Sequence, residues 1–414
     1  MGFTTWMQAS PSWKVVPTSV IFGERSEKST DEDVHLTPSQ KLGVIPQDEY
    51  IEKTGAQVVK NRLGSDNMKR VKPGDFISHL RSFQGGLEHT TIPGKVSNAY
   101  TVLRPRRQIE GKYYSYLFKS ASFIEGLANL TDQLRDGQTI NFARLALFSL
   151  PLPPLSTQRA IADYLDRETA EIDGMRADLD EMERLLTERR AAVISETMLH
   201  LAEEYPNVQV GTLVKLVSGS GFPHKYQGQV GEELPFYKVG SMSLVDRQGF
   251  IRDDRNTIST EEAHQLAAHI IPENSVLMAK IGAALLLGRF VRNSISCCID
   301  NNMLALIPSN NVDSSFLMLS LSLVDIELLE RPGPVPTLDL TGLRQSRIPL
   351  PPLAEQRRIA DEIDRETAEI DSMLEDITKL RDLLAERRAA VISAAVTGQI
   401  DIPVSPTDKD EPHV

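Results

Sequence analysis

Apolar residues are spaced in two ways along this chain. Leu165, Ile172, Leu179, Leu186 and Val193 recur every seven residues, and Met175 and Met182 lie three positions after Ile172 and Leu179. The same spacing returns at Ile363, Ile370, Ile377, Leu384 and Val391, with Met373 and Leu380 between them. An a/d heptad row sustained over about four heptads predicts a long helix with one seam to bury, the coiled-coil pattern. Each helix should run roughly 40 residues, about 60 Å at 1.5 Å per residue. Pro153-Pro154 and Pro351-Pro352 set the helix starts just after them. Pro206 bounds the first helix, and Gly398 with Pro403 bounds the second. Elsewhere short apolar runs flanked by Gly and Pro predict strands at 76–80, 99–104, 235–240 and 275–281, with helices at 113–129 and 314–330.

The two heptad segments are near-copies. Residues 151–195 and 349–393 are identical at 30 of 45 positions, at a constant offset of 198. A period that long describes a large module used twice rather than a solenoid. The intervening segments share a plan without being copies. In 71–105 and 270–308 a Pro-led turn precedes an apolar strand, a Gly-containing loop and a second strand ending at Pro105 or Pro308. Thr139-Ile140 and Leu145 align with Thr337-Leu338 and Leu343 at the same offset. Each half is therefore a divergent α/β (α+β) globule followed by a long helix. Two matching seams in one chain close most simply as an antiparallel pair with pseudo-twofold symmetry.

Length and charge refine this picture. At 414 residues, the chain has room for two or three cores. The expected division is 1–155 and 201–353 as globular domains, 156–200 and 354–400 as coiled-coil helices, and 401–414 as a disordered acidic tail. Net charge is −12, distributed as +4 over 1–155, −5 over 156–200, −4 over 201–353 and −7 over 354–414. The acidity lies mostly in the helices and tail, so a polyanion would have to meet the globular segments through local basic patches. The N-terminus MGFTTWMQASPSWKVV has no signal-peptide pattern, and no apolar run reaches the ~20 residues of a membrane span. With two cysteines, Cys297 and Cys298, no disulfide framework is expected, and a cytoplasmic location follows.

Several chemistries lack their residues. There is no Walker loop, no G-x-G-x-x-G after a strand, no H-E-x-x-H and no G-x-S-x-G elbow. His264 and His269 have no third ligand nearby in sequence, and Cys297-Cys298 reads as part of a buried strand rather than a zinc site. Leu152-Pro153-Pro154-Leu155 and its copy at 350–353 lack the Asp/Asn and aromatic that a methyltransferase Pro-Pro loop needs. The expectation is a protein with no catalytic site, metal or cofactor of its own.

The segment LPLPPLSTQRAIADYLDRETAEID, its copy IPLPPLAEQRRIADEIDRETAEID and the closing ERRAAVISAAVTGQID resemble the specificity subunit of type I restriction-modification systems. The resemblance spans nearly the whole chain. It implies two target recognition domains, each reading one half of an interrupted, bipartite target in double-stranded DNA. It also implies helices that set the spacer and dock two adenine-methyltransferase subunits and, through them, restriction subunits. S-adenosylmethionine, ATP and Mg would reside on those partners. The competing expectation is a coiled-coil scaffold whose domains bind protein without reading DNA.

Within that resemblance, side-chain chemistry nominates contacts. In the first domain the loop Arg81, Ser82, Phe83, Gln84 is the base-reading candidate, since Arg suits guanine and Gln suits adenine in the major groove. Lys69, Arg70, Lys72 and Lys95 are phosphate candidates. In the second domain the base-reading candidates are Ser218, Ser220, His224, Lys225, Tyr226, Tyr237, Lys238 and Ser241, with Lys280 for phosphate. Glu188-Arg189-Arg190 and Glu386-Arg387-Arg388 fit ion pairs between helices or to a partner better than DNA clamps.

Overall fold

Both long helices form in the computed structural model, as Leu155–Glu204 and Leu353–Thr397. The structure describes residues 9–56, 68–79, 86–129, 142–331 and 333–403. Gly398 ends the second helix at φ +73°, and a Cβ there would fall 2.7 Å from that of Ser10 and 2.8 Å from the Trp13 ring. The chain divides into two units. Unit 1 is residues 1–178 with 380–414, and unit 2 is residues 179–379. Each unit thus holds part of both helices.

Within each unit the helices pair antiparallel. In unit 1, Ile161, Ala162 and Leu165 share a buried cluster with Ile392, Ala395 and Val396. In unit 2, Ile194, Met198 and Leu201 share one with Ile359, Ala360 and Ile363. The seven-residue row is the seam. Leu165, Ile172, Ile363, Ile370 and Ile377 are buried, while Leu179, Leu186, Val193, Leu384 and Val391 are half-buried. The row three positions on behaves differently: Met182, Met373 and Leu380 are 49%, 37% and 47% exposed. The helix pair therefore buries one row and leaves most of the other outward.

The two globular parts repeat one plan. In unit 1, strands Phe22–Glu24, Val102–Pro105, Phe76–Ser78 and Leu87–His89 form an antiparallel sheet in that order. In unit 2, Val214–Ser218, Met303–Pro308, Val276–Ala279 and Phe290–Arg292 form the equivalent sheet in the same order. A further strand pair seats each sheet at its long helix. Lys14–Pro17 pairs with Ser149–Leu152, and Asn207–Gln209 pairs with Arg347–Pro349. A helix follows the second sheet strand in each, Gly111–Lys119 or Ser314–Ser320.

The cores are filled differently. Unit 1 packs Phe22, Phe76, Tyr113, Tyr114, Phe118 and Phe123 around its sheet, all fully buried. Edge-to-face pairs such as Phe22–Tyr114 (5.2 Å, 89°) and Phe76–Phe118 (5.2 Å, 85°) give this cluster directional contacts. Unit 2 uses Val276, Met278, Leu304, Leu306, Leu317 and Leu321. Unit 2 also carries a second sheet in which Leu234–Tyr237 pairs antiparallel with Thr257–Ile258 and parallel with Cys298–Ile299.

Two expected helices are interrupted. The stretch 113–129 is two helices, Gly111–Lys119 and Ala121–Asn129. Ser120 leaves helical geometry between them, and its hydroxyl accepts the Phe123 N–H. The stretch 314–330 is helical only to Ser320, then passes into short 3-10 turns as the Asp325 carboxylate takes the Glu327 N–H. Cys297 and Cys298 are buried as read, and burial pushes the Cys298 thiol up to about 11. His264 and His269 are exposed. Among the described residues no group of His, Cys, Asp and Glu could hold a metal, and no helix is long and apolar enough to cross a membrane.

Candidate nucleic-acid interface

In unit 2 the sheet topology gathers several nominated residues at one place. Ser218 ends its strand opposite Leu304, and Ser220 bridges Asp300. Gly219 between them allows the close approach, since a Cβ there would sit 1.9 Å from the Asp300 carbonyl oxygen and 2.4 Å from that of Ile299. Lys238 and Lys280 both act electrostatically on the Asp300 region, with Lys238 favouring the Asp300 carboxylate and Asp300 favouring charged Lys280. Burial opposes both charges. It raises the pKa of Asp300 and lowers that of Lys280.

Aromatic rings border this cluster. Phe222 stacks on Phe236 at 3.9 Å and 9° between planes. The Lys238 ammonium lies 5.1 Å from the Phe222 centroid and donates to Gln227 Oε1 at 2.9 Å. The Lys225 ammonium lies 4.4 Å from the Tyr226 centroid. His224 and Lys225 are exposed. Such a surface offers cations and small hydroxyl residues beside the half-buried Phe222 ring, a combination suited to phosphate and base contact.

Three nominated residues of unit 2 have a place in its interior. Tyr226, Tyr237 and Ser241 are buried, and burial pushes the Tyr237 phenol up. Ser241 Oγ accepts the Lys238 N–H at 3.0 Å and its hydroxyl also supports Asp253. Asp253 is held down to about 2 by the Arg255 guanidinium, 2.7 Å away. These side chains shape the loop that presents Lys238.

Unit 1 places Lys69, Arg70 and Lys95 on one antiparallel strand pair, Met68–Val71 with Gly94–Ser97, where Arg70 lies directly opposite Lys95. Lys72 follows. Carboxylates already meet much of this charge. Lys69 pairs with Glu24 (3.1 Å), Arg70 with Glu27 and Asp33 (3.4 Å each), and Lys72 with Glu27 (2.9 Å). Lys95 Nζ donates to the carbonyls of Thr30 and Asp31. The Lys72 ammonium holds Glu27 below the usual carboxylate range. Arg81, Ser82, Phe83 and Gln84 lie outside the described residues. The chain entering that loop is anchored: buried His79 Nε2 meets Glu88 Oε1 at 3.1 Å, and Lys119 meets Glu88 Oε2 at 2.6 Å. On the far side Gly86 has φ +66°, and a Cβ there would lie 1.9 Å from the Phe118 carbonyl oxygen.

Some organising residues carry no signal of base or phosphate contact. Arg190 pairs with Asp371 at 2.7 Å in unit 2, and Arg388 with Asp173 at 3.5 Å in unit 1. These are the same pair at offset 198, so the second Arg of each ERR repeat makes an ion pair between helices, while Glu188 meets Arg184 in its own helix. Arg387 adds Glu168 at 3.4 Å. The repeated Gln158 and Gln356 carry no chemical motif, and their one sequence signal is identity in two otherwise altered triplets, STQ and AEQ. Both are buried. In unit 2 a cleft of about 810 Å³ is lined by Arg190, Arg247 and Arg289 and by Asp364, Asp371 and Glu375. Its charges largely pair with one another, as in Arg247–Glu375, so it is a poor phosphate cradle.

The repeated sheet and repeated helix pair beneath divergent loop surfaces define a duplicated two-unit architecture on paired long helices. The sequence matches the family described as Type I restriction modification DNA specificity domain over residues 37–184 and 203–380, and the chain belongs to that family. The StySPI type I restriction enzyme specificity subunit of Salmonella potsdam is 23% identical over 362 residues, 80% of this chain and 76% of that protein. The EcoKI specificity subunit of Escherichia coli K12 is 29% identical over 135 residues, 30% of this chain and 28% of that protein. A solved chain from work on complex assembly and conformational transition of a type I R-M system superposes with a TM-score of 0.65 at 17% identity. It covers 95% of this chain and 100% of that one, a likeness of fold.

Proposed function

We propose that each unit reads one half of a bipartite, interrupted DNA target, and that the long helices set the spacer between the halves. The observation that carries this reading is the repetition of one sheet order and one helix pair beneath two unlike loop surfaces. Base contacts specify while phosphate contacts position, so two readers on one scaffold must differ where they meet bases. In unit 2 the reading surface is built from Ser218, Ser220, His224, Lys225 and Lys238 with Lys280 behind it; Tyr226, Tyr237 and Ser241 act from the interior. In unit 1 it is the strand pair of Lys69, Arg70 and Lys95, with Lys72 and the segment Arg81, Ser82, Phe83, Gln84.

The helices are also the docking surface for two adenine-methyltransferase subunits, through which restriction subunits join. Support comes from the apolar row left outward: Met182, Leu185 and Met373 in unit 2, Leu380 and Leu383 in unit 1. Large exposed apolar side chains on an otherwise charged helix suit a protein partner better than phosphate. S-adenosylmethionine, ATP and Mg belong to those partners, and this chain contributes the address. With a net charge of −12, the isolated chain should bind DNA weakly at physiological salt.

The test is single-molecule methylome sequencing of a host carrying this gene and its partner methyltransferase, against a deletion of this gene. Loss of N6-methyladenine at one interrupted, asymmetric motif is the expected result. An unchanged methylome with the partner expressed would overturn the reading in favour of a protein-binding scaffold.

A further inference from the structure

Each long helix begins with a Pro-Pro elbow and, within its first turn or so, a buried glutamine: Gln158 at 2% exposure and Gln356 at 0%. In unit 1, Gln158 Nε2 donates to the Pro153 carbonyl at 2.9 Å, and its Oε1 accepts the Glu110 N–H at 2.9 Å. Glu110 is the N-cap of the domain helix Gly111–Lys119. In unit 2, Gln356 Nε2 donates to the carbonyls of Pro351 (2.8 Å) and Asn311 (3.0 Å), and its Oε1 accepts the Asp313 N–H at 2.8 Å. Asp313 is the N-cap of the domain helix Ser314–Ser320. One planar amide therefore ties together the long helix, its elbow and the start of a domain helix, in both units.

This differs from the buried threonines Thr169 and Thr367, whose hydroxyls donate to carbonyls one turn back in their own helix. The glutamines reach out of the helix into the globule. The elbow sequence is repeated around each glutamine apart from Ser156-Thr157 against Ala354-Glu355, whereas the N-caps it meets, Glu110 and Asp313, lie in the divergent globules. A buried amide whose donor and acceptor ends are both used holds orientation as well as stability, because any rotation breaks bonds that buried groups cannot replace with water.

We propose that Gln158 and Gln356 are positioning residues that fix each recognition domain's tilt on its own helix, and through it the spacer length the protein accepts. This rests on the proposed reading of a bipartite target. The leverage is large. A tilt of about 10° at the elbow moves a point about 25 Å away by roughly 4 Å, more than the 3.4 Å step between bases. A domain freed to rock would still read its half-site but would meet it at neighbouring spacings.

The experiment uses the full chain with its methyltransferase partner and a library of targets whose spacer is one base shorter, native or one base longer. Gln158→Met and Gln356→Met keep bulk but lose every amide bond. Each should retain both half-site motifs while discrimination between native and neighbouring spacers falls about tenfold, the scale of one or two lost buried hydrogen bonds. Unchanged spacer discrimination in both variants overturns the positioning role. If the wild-type chain directs no interrupted motif, it is the underlying DNA reading that fails. Should either variant not fold, amide exchange on the wild-type protein decides. The Glu110 and Asp313 N–H groups should exchange as slowly as the sheet of their own unit, and exchange at open-loop rates overturns the inference.

Discussion

The two units share a sheet order, a strand pair at the elbow and a buried glutamine, yet differ in what fills and faces each sheet. Unit 1 is packed with rings, among them Phe22, Phe76, Tyr114 and Phe118; unit 2 with branched aliphatics and Met278. Lys69, Arg70 and Lys72 of unit 1 already hold carboxylates, whereas Lys225 and Lys238 of unit 2 lie over aromatic rings. The contrast teaches that the fold is specified by the pattern of burial and by the elbow, not by particular core residues. It also shows that a basic residue's worth to a polyanion depends on what it already holds.

The cores offer the largest test of that contrast. Phe118→Ala should destabilise unit 1 by about 4 kcal/mol, and Leu317→Ala should destabilise unit 2 by about 3 kcal/mol. Denaturant unfolding followed by amide exchange should show each loss confined to its own unit; uniform loss across both would mean the units are one cooperative body.

Acid should act next. The Arg255 guanidinium holds the Asp253 carboxyl down to about 2, below the usual aspartate range. A depressed carboxylate contributes stability that is present above the unfolded pKa and lost as pH falls through the folded one. The contribution, at most about 2 kcal/mol, should therefore disappear between about pH 4 and pH 2. Asp253→Asn should flatten the acid limb of unit 2 in a pH titration of melting temperature, and an unchanged limb would refute the assignment.

DNA binding by the assembled complex should separate the surfaces. Lys225→Ala and Lys238→Ala should each lower affinity several-fold and reduce the salt slope by about one. Lys69→Ala should do less, since Lys69 is engaged by Glu24 and the Tyr100 carbonyl. Equal slopes for all three would place the two surfaces on the same footing. The smallest effects belong to the repeated ion pair. Arg190→Ala should cost about 1 kcal/mol, because Asp371 is only 16% exposed, whereas Arg388→Ala should cost under about 0.5 kcal/mol at the more open Asp173. Double-mutant cycles with the two aspartates would measure the difference.

The amino-acid pattern by itself determined the two long helices, the offset of 198, the α/β character of both globules and the resemblance to a DNA-specificity family. These follow from local physics: a period of seven, Pro-Pro before a helix, and Gly after one are legible wherever they occur. Tertiary structure decided the rest. It chose which heptad row is buried, leaving Met182, Met373 and Leu380 exposed, because a two-helix seam covers a narrower stripe than the sequence offers. Tyr237 and Ser241 went inward and Lys225 outward, which depends on a second sheet formed by strands distant in the chain. It turned two glutamines into ties between helix and globule, because their partners at Glu110 and Asp313 lie 48 and 43 residues away, beyond the reach of any local rule.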